Sequence, residues 1–285
     1  MQVGNKLKGI SQLIRLDLSF AAAICVVAGE ILALSGIPSL GQIIAGFSCG
    51  FFISASALVL NDYFDLESDR INAPNRPLPS GMVSKSEIIY LTVFTTLLGL
   101  YSAFVLGMSV LIIGIIFWII GVLYNWKLKR TGLLGNIMVA SSVAITFIIG
   151  GIAVGNPWNV TVWSFGLMAF LVDLGEEISA DAMDLEGDKL QNSKSIAIVW
   201  GRKVALKVSS LLFGLVILVS FFPLIFGNLG NIYLLAMAII DANIIYFVYK
   251  LLKSKTDAEG RKYIIGIYRG IMVGIVVLLL GLVIF

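Results

Sequence analysis

Nine stretches of about 20 apolar residues, joined by short polar loops, leave this chain few folds to choose from. They run roughly over residues 12–35, 39–61, 86–106, 108–126, 133–155, 160–180, 204–226, 230–252 and 264–285. At about 1.5 Å of rise per residue, each would cross a hydrocarbon core of about 30 Å. Charged residues make up only 13% of the chain, against 59% hydrophobic, whereas soluble domains carry roughly 25% charge. Water would meet a surface that these residues cannot supply. The spacing therefore predicts an all-α integral membrane protein, a bundle of nine transmembrane helices forming one domain over residues 1–285. The first window carries Arg15, Asp17 and Glu30 and no small-residue cleavage site follows it, so it reads as a span and not as a cleavable signal.

The basic residues predict the orientation. With nine helices, one membrane face takes the N-terminus and the 2–3, 4–5, 6–7 and 8–9 loops. That face, with its flanking helix ends, holds 19 of the 20 Lys and Arg, and the last, Arg269, lies in the first turns of helix 9 near the same side. The opposite loops, around Gly36–Leu40, Leu106–Ser109, Val154–Thr161 and Gly227–Asn231, hold none. The positive-inside rule makes the basic face cytoplasmic, with the N-terminus in and the C-terminus out of a multi-pass protein of the cell membrane. The net charge of +3 is thus a topological signal. No nucleic-acid partner is expected, because aromatic and basic residues are not interleaved as single strands require.

The carboxylates are patterned. NDYFDLESD, at the end of the second window, contains Asn61, Asp62, Asp65 and Asp69; EISADAMDLEGD, at the end of the sixth, contains Glu177, Asp181, Asp184 and Asp188. Both hold D-x-x-D-x-x-x-D, and every aspartate of the first reappears 119 residues later. Helices 1–4 and 5–8 therefore read as an internal repeat, with helix 9 added. Positions i, i+3 and i+7 share one helical face, so each motif is predicted to present three carboxylates in a stripe at the cytoplasmic face. Like charges in a stripe repel, and bound divalent cations would relieve that. Mg²⁺ takes oxygen ligands, and usually binds through one or two carboxylates plus substrate phosphates. Two facing stripes suit Mg²⁺ ions clamping a diphosphate, with Asp62, Asp65, Asp69, Glu177, Asp181, Asp184 and Asp188 as candidate ligands. Asp65, Asp69, Asp184 and Asp188 are the candidate catalytic carboxylates. A merely solvated helix end accounts for one such motif better than for two with matched spacing.

Cations lie close in sequence. Arg70 and Arg76 follow the first motif, Lys189 and Lys194 the second, and Tyr124, Lys127 and Lys129 sit in YNWKLKR at the end of helix 4. With Arg15 and Asn61 they are candidates for binding a diphosphate, since metal and cation together can neutralise that leaving group. Topology alone also accounts for Lys and Arg on this face, and Tyr124 is equally an interfacial tyrosine. Three prolines stiffen the loop NAPNRPLPSG (Asn72–Gly81), which reads as a shaped wall or lid, or as a plain rigid turn. Among carboxylates at membrane depth, Asp173 and Asp17 could line an acceptor pocket, and Glu30 and Asp241 read as interhelical hydrogen-bond partners. Cys25 and Cys49 lie inside apolar windows and read as packing residues. There is no histidine, so chemistry must run on carboxylates, Lys, Arg and Tyr.

These motifs resemble the UbiA superfamily of intramembrane prenyltransferases over essentially the whole chain. NDYFDLESD looks like that family's first motif, N-D-x-x-D-x-x-x-D, and NRPLPSG downstream is similar to the family's too. EISADAMDLEGD followed by NSKSIAIVWG, with YNWKLKR before TGLLGN, most resembles the branch that makes archaeal ether lipids. Two features depart from the pattern: Arg15 is followed by Leu-Asp-Leu-Ser where the family often has proline and asparagine, and Ala180 stands where that branch often has lysine. The resemblance implies Mg²⁺-dependent transfer of a polyprenyl group, geranylgeranyl in the ether-lipid branch, from its diphosphate to the hydroxyl of geranylgeranylglyceryl phosphate. It leaves open an aromatic acceptor on the way to a quinone-like or methanophenazine-like carrier. A transporter or channel would place its site near the midplane, not at one face. A lipid phosphoalcohol transferase would need D-G-x-x-A-R, but Tyr63 follows Asp62.

Overall fold

The computed structural model describes residues 2–190, 193–227 and 229–284. Asn192 in the tail of the second motif, Asn228 in a loop and Phe285 at the end of the last window lie outside them. Among the described residues there is no strand. The helices are α1 (Gln2–Ile14), α2 (Leu16–Leu34), α3 (Leu40–Phe64), α4 (Leu66–Asn72), α5 (Lys85–Leu106), α6 (Met108–Trp126), α7 (Leu133–Ala153), α8 (Val160–Asp181), α9 (Leu185–Leu190), α10 (Ile196–Trp200), α11 (Arg202–Val219), α12 (Phe222–Phe226), α13 (Asn231–Leu252) and α14 (Asp257–Ile284). A 3₁₀ turn, Leu128–Thr131, joins α6 to α7.

Capping fixes several starts. Ser39 and Gln42 close a capping box at α3, Ser84 and Glu87 close one at α5, and the Asn159 side chain accepts from Val162 N at α8. Among the described residues, eight helical spans are long and apolar enough to cross a bilayer: α2, α3, α5, α6, α7, α11 with α12, α13 and α14. At 22 residues α8 equals them in length, but it carries Asp173, Glu176, Glu177 and Asp181. Large apolar side chains such as Phe94, Leu211 and Ile239 stand exposed on the outside, as in a protein solvated by lipid. This is a multi-pass membrane fold.

Helix α2 packs on α3, and α3 on α5; in the second half α7 packs on α8, and α8 on α11. The same neighbour order thus recurs in both halves. The halves meet where α2 crosses α7, and α14 packs on α13 while touching α8 and α2.

Three expectations are corrected. The first window is not one helix: Arg15 adopts a left-handed conformation, φ 45°, which separates α1 from α2. Helix α1 instead lies across the polar end, where its Leu13 is buried with Val59, Leu66, Leu78, Val83 and Ile88. The seventh window breaks after Val219, ahead of Pro223. Tyr233 donates to the freed Ser220 carbonyl at 2.7 Å, and Ser220 Oγ donates to Asp241 at 2.9 Å, so Asp241 does take the interhelical role. Glu30 does not. Its carboxylate is fully buried beside Gly46 and has no hydrogen-bond partner among the described residues.

Candidate active site

Neither acidic motif is the unbroken helical stripe that its spacing predicts. Asp62 lies in the last turn of α3, Asp65 caps that helix, and Asp69 belongs to α4. The hydrogen bonds run on across the joint, from Asp65 N to Asn61 O at 2.9 Å and from Asp69 N to Asp65 O at 2.8 Å, so the path bends without losing its register. The second motif breaks more sharply. Asp181 ends α8, Asp184 lies in the turn that follows, and Asp188 is on α9. Asp184 swings outward to Arg261 of α14, 3.4 Å away.

Each aspartate of the first motif meets a different cation. Arg15 Nη2 lies 3.0 Å from Asp62 Oδ1 and 3.4 Å from Asn61 Oδ1. The left-handed turn at Arg15 is what brings its guanidinium back onto α3. Arg76 Nη1 donates to both oxygens of Asp69, at 2.9 and 2.8 Å, which gives the proline-rich loop a fixed contact with the motif. Burial works against the Arg76 cation, yet Asp69, with Asp62 and Asp65 nearby, holds its pKa above the ordinary arginine value. Lys129 Nζ reaches Asp65 Oδ2 at 2.5 Å.

The second motif is held mostly by neutral donors. Asn136 Nδ2 donates to Asp181 at 2.9 Å and Ser195 Oγ to Asp188 at 3.3 Å. Burial raises the pKa of the Asp188 carboxyl above its ordinary value, and the Ser195 hydroxyl opposes that rise. A polar cavity of about 190 Å³ opens here, lined by Tyr124, Lys129, Asn136, Glu177, Asp181 and Asp188 among others. Lys129 is therefore common to both motifs. Its position depends on Gly132, whose φ of 71° suits glycine. A Cβ on Gly132 would stand 2.1 Å from the Lys194 carbonyl. That close approach, with Lys194 N donating to Arg130 O at 3.1 Å, seats the turn after α6 against the second motif.

The structure sorts the sequence-predicted cations. Arg15, Arg76, Lys129 and Tyr124 are gathered at the acidic groups. Arg70 turns to Glu67, 3.2 Å away and exposed, while the side chains of Lys127 and Lys194 are exposed and line no part of the cavity. Four contributors escape the motif spacing. Asn125 accepts from Asn61 at 2.9 Å and ties it to the backbone of α3 through Ala57 O; Asn136, Ser195 and Arg261 are the others. Asn125 and Asn136 did leave a signal, as amides at the ends of apolar windows.

The groups that the two motifs offer to a metal are carboxylate oxygens, which suit a hard cation such as Mg²⁺. Among the described residues, no three acidic or sulfur side chains lie close enough to hold a metal by themselves. That fits an ion completed by substrate phosphates and water.

Residues 22–283 match the UbiA prenyltransferase family. The chain is 36% identical over 235 residues to the digeranylgeranylglyceryl phosphate synthase of Thermococcus kodakarensis, covering 82% of this chain and 83% of that one. A solved structure of a digeranylgeranylglyceryl phosphate synthase superposes with a TM-score of 0.79 at 30% identity, over 98% of this chain and 99% of that one. A UbiA homologue of Archaeoglobus fulgidus, solved with GPP and Mg²⁺, shares the fold at a TM-score of 0.69 and 18% identity, over 95% of this chain and 99% of that one.

Proposed function

The chain belongs to the UbiA prenyltransferase family, and we propose that it transfers a geranylgeranyl group from its diphosphate to the free hydroxyl of geranylgeranylglyceryl phosphate. The product would carry the second ether bond of an archaeal membrane lipid. The observation that carries this reading is Lys129, which contacts Asp65 of the first motif while lining the cavity of Asp181 and Asp188. One cation between two acidic groups, beside Tyr124 and near Arg76, is an arrangement for a polyanion whose remaining charge is met by divalent ions.

In this reading all nine long helices cross the membrane as one domain over residues 1–285, with the N-terminus and the site on the cytoplasmic side. The segregation of Lys and Arg supports that orientation. Asp62, Asp65, Asp69, Glu177, Asp181, Asp184 and Asp188 are the residues that would hold Mg²⁺. The ion supplies charge neutralisation at the diphosphate oxygens. Lys129 and Arg76 face the leaving group. The allylic C1–O bond breaks, pyrophosphate departs with the bonding pair, the acceptor oxygen bonds to C1, and a carboxylate of the second motif or of α2 takes the hydroxyl proton. The apolar helices exclude the water that would otherwise capture an allylic cation.

The test is an acceptor assay on purified protein with Mg²⁺ and geranylgeranyl diphosphate. Geranylgeranylglyceryl phosphate is expected to give a diether phosphate by mass, and EDTA to abolish it. A product found only with aromatic acids or phenols would move the protein to the quinone-like branch. In the same assay, Arg76→Ala should lose about 10²-fold in kcat/KM, as when a charged group on a developing anion is removed. Arg70→Ala should stay within about twofold, because a surface pair such as Arg70–Glu67 contributes little. Equal losses in the two variants would remove Arg76 from the site.

A further inference from the structure

A second cavity lies in the groove between α13 and α14, with a volume of about 910 Å³, and meets the active-site cavity at Arg261. Its walls are largely apolar, with Ile239 from α13 and Ile265, Val273 and Val277 from α14. The charged residues among its lining are all cations: Arg261, Lys262 and Arg269. Arg261 is engaged by Asp184 and the Met183 carbonyl. Lys262 and Arg269 have no ion pair among the described residues. Arg269 lies in the first turns of the apolar run of α14, where an unneutralised charge is costly. Across the groove, Asn243 Oδ1 is buried without a hydrogen-bond partner.

We propose that this groove binds an anionic membrane phospholipid. Its phosphate would sit between Lys262 and Arg269, and its chains would lie along Ile239, Val273 and Val277. Charge complementarity selects this occupant. An apolar groove alone would take any acyl chain, but two unpaired cations and no lining carboxylate select an anion. In the orientation proposed above, the Lys262 end of α14 is its cytoplasmic end, where a lipid phosphate resides. Arg261 lines both this groove and the active-site cavity, so an occupied groove adjoins the residue that holds Asp184.

Native mass spectrometry of the full chain, released from detergent with added lipid, tests this directly. Wild type is expected to retain one phosphatidylglycerol per chain in preference to phosphatidylcholine. The double variant K262Q/R269Q should bind it about tenfold or more weakly, as expected for two lost cations at a lipid surface. R269K should retain it. V273W, which fills the apolar half and leaves the charge intact, should lose it as well; a monodisperse elution profile would show that each variant is folded. Equal retention of both lipids, unchanged binding in K262Q/R269Q, or a dimer that closes over the groove and excludes lipid would each overturn the proposal.

Discussion

Replacing Lys129 with Met is expected to lower kcat by about 10²-fold or more while leaving the protein folded, the loss typical of removing one preorganised charge donor from a transition state. Lys129 Nζ lies 2.5 Å from Asp65 and lines the cavity of the second motif, so its charge serves both acidic groups. Met keeps the length of the stem and removes the charge. Lys127→Met, two residues earlier on an exposed side chain, is the matched control and should change kcat less than about twofold, in line with surface charges that contribute little. The measurement is a single-turnover assay with geranylgeranyl diphosphate, which separates chemistry from product release. A Lys129→Met enzyme with wild-type turnover would mean that the two motifs work without a shared cation.

The second large effect is on folding. Gly150→Val should prevent recovery of monodisperse protein, or lower its thermal transition by more than the ~1–3 kcal/mol usual for overpacking would produce. A Cβ on Gly150 would stand 2.1 Å from the Val26 carbonyl and 2.7 Å from Glu30 N, and one on Gly29 would stand 2.1 Å from the Phe147 carbonyl. Each helix therefore rests on the other's backbone at the α2–α7 crossing, the contact that joins the two halves. A flexible side chain can move aside, but a backbone carbonyl in a helical ladder cannot do so without breaking its own hydrogen bond. Size-exclusion chromatography and a thermal scan in detergent decide the matter. A well-folded Gly150→Val protein with an unchanged transition would show that the crossing can open.

Much of the architecture was legible because burial in lipid is a property of single residues. Apolar windows add up along the chain without reference to any partner, so the long helices fall close to where hydropathy puts them. Windows 86–106 and 108–126 differ from α5 and α6 by one residue at most. The repeat of D-x-x-D-x-x-x-D at a fixed offset likewise placed two acidic groups at equivalent points of the two halves. Backbone breaks were not legible. Arg15 leaves the helix with φ 45° inside a run that hydropathy reads as continuous, and the second motif leaves α8 at Asp181 despite its helical spacing. In both places tertiary contacts, Arg15 with Asp62 and Arg261 with Asp184, overrode local periodicity.

The sequence by itself determined that this is a membrane-embedded helical bundle, that its carboxylates recur in two related motifs, and that basic residues accompany them. Those properties are set residue by residue, through transfer into lipid and through helical register. Only the tertiary structure decided which cations meet those carboxylates. Arg70, Lys127 and Lys194 are as near to the motifs in sequence as Arg76 and Lys129, yet they point elsewhere. An ion pair needs two side chains within about 4 Å, and that distance depends on how helices cross and where they break. The turn at Gly132 carries Lys129 to Asp65, the kink at Arg15 carries its guanidinium to Asp62, and α14, outside the repeat, supplies Arg261 to Asp184.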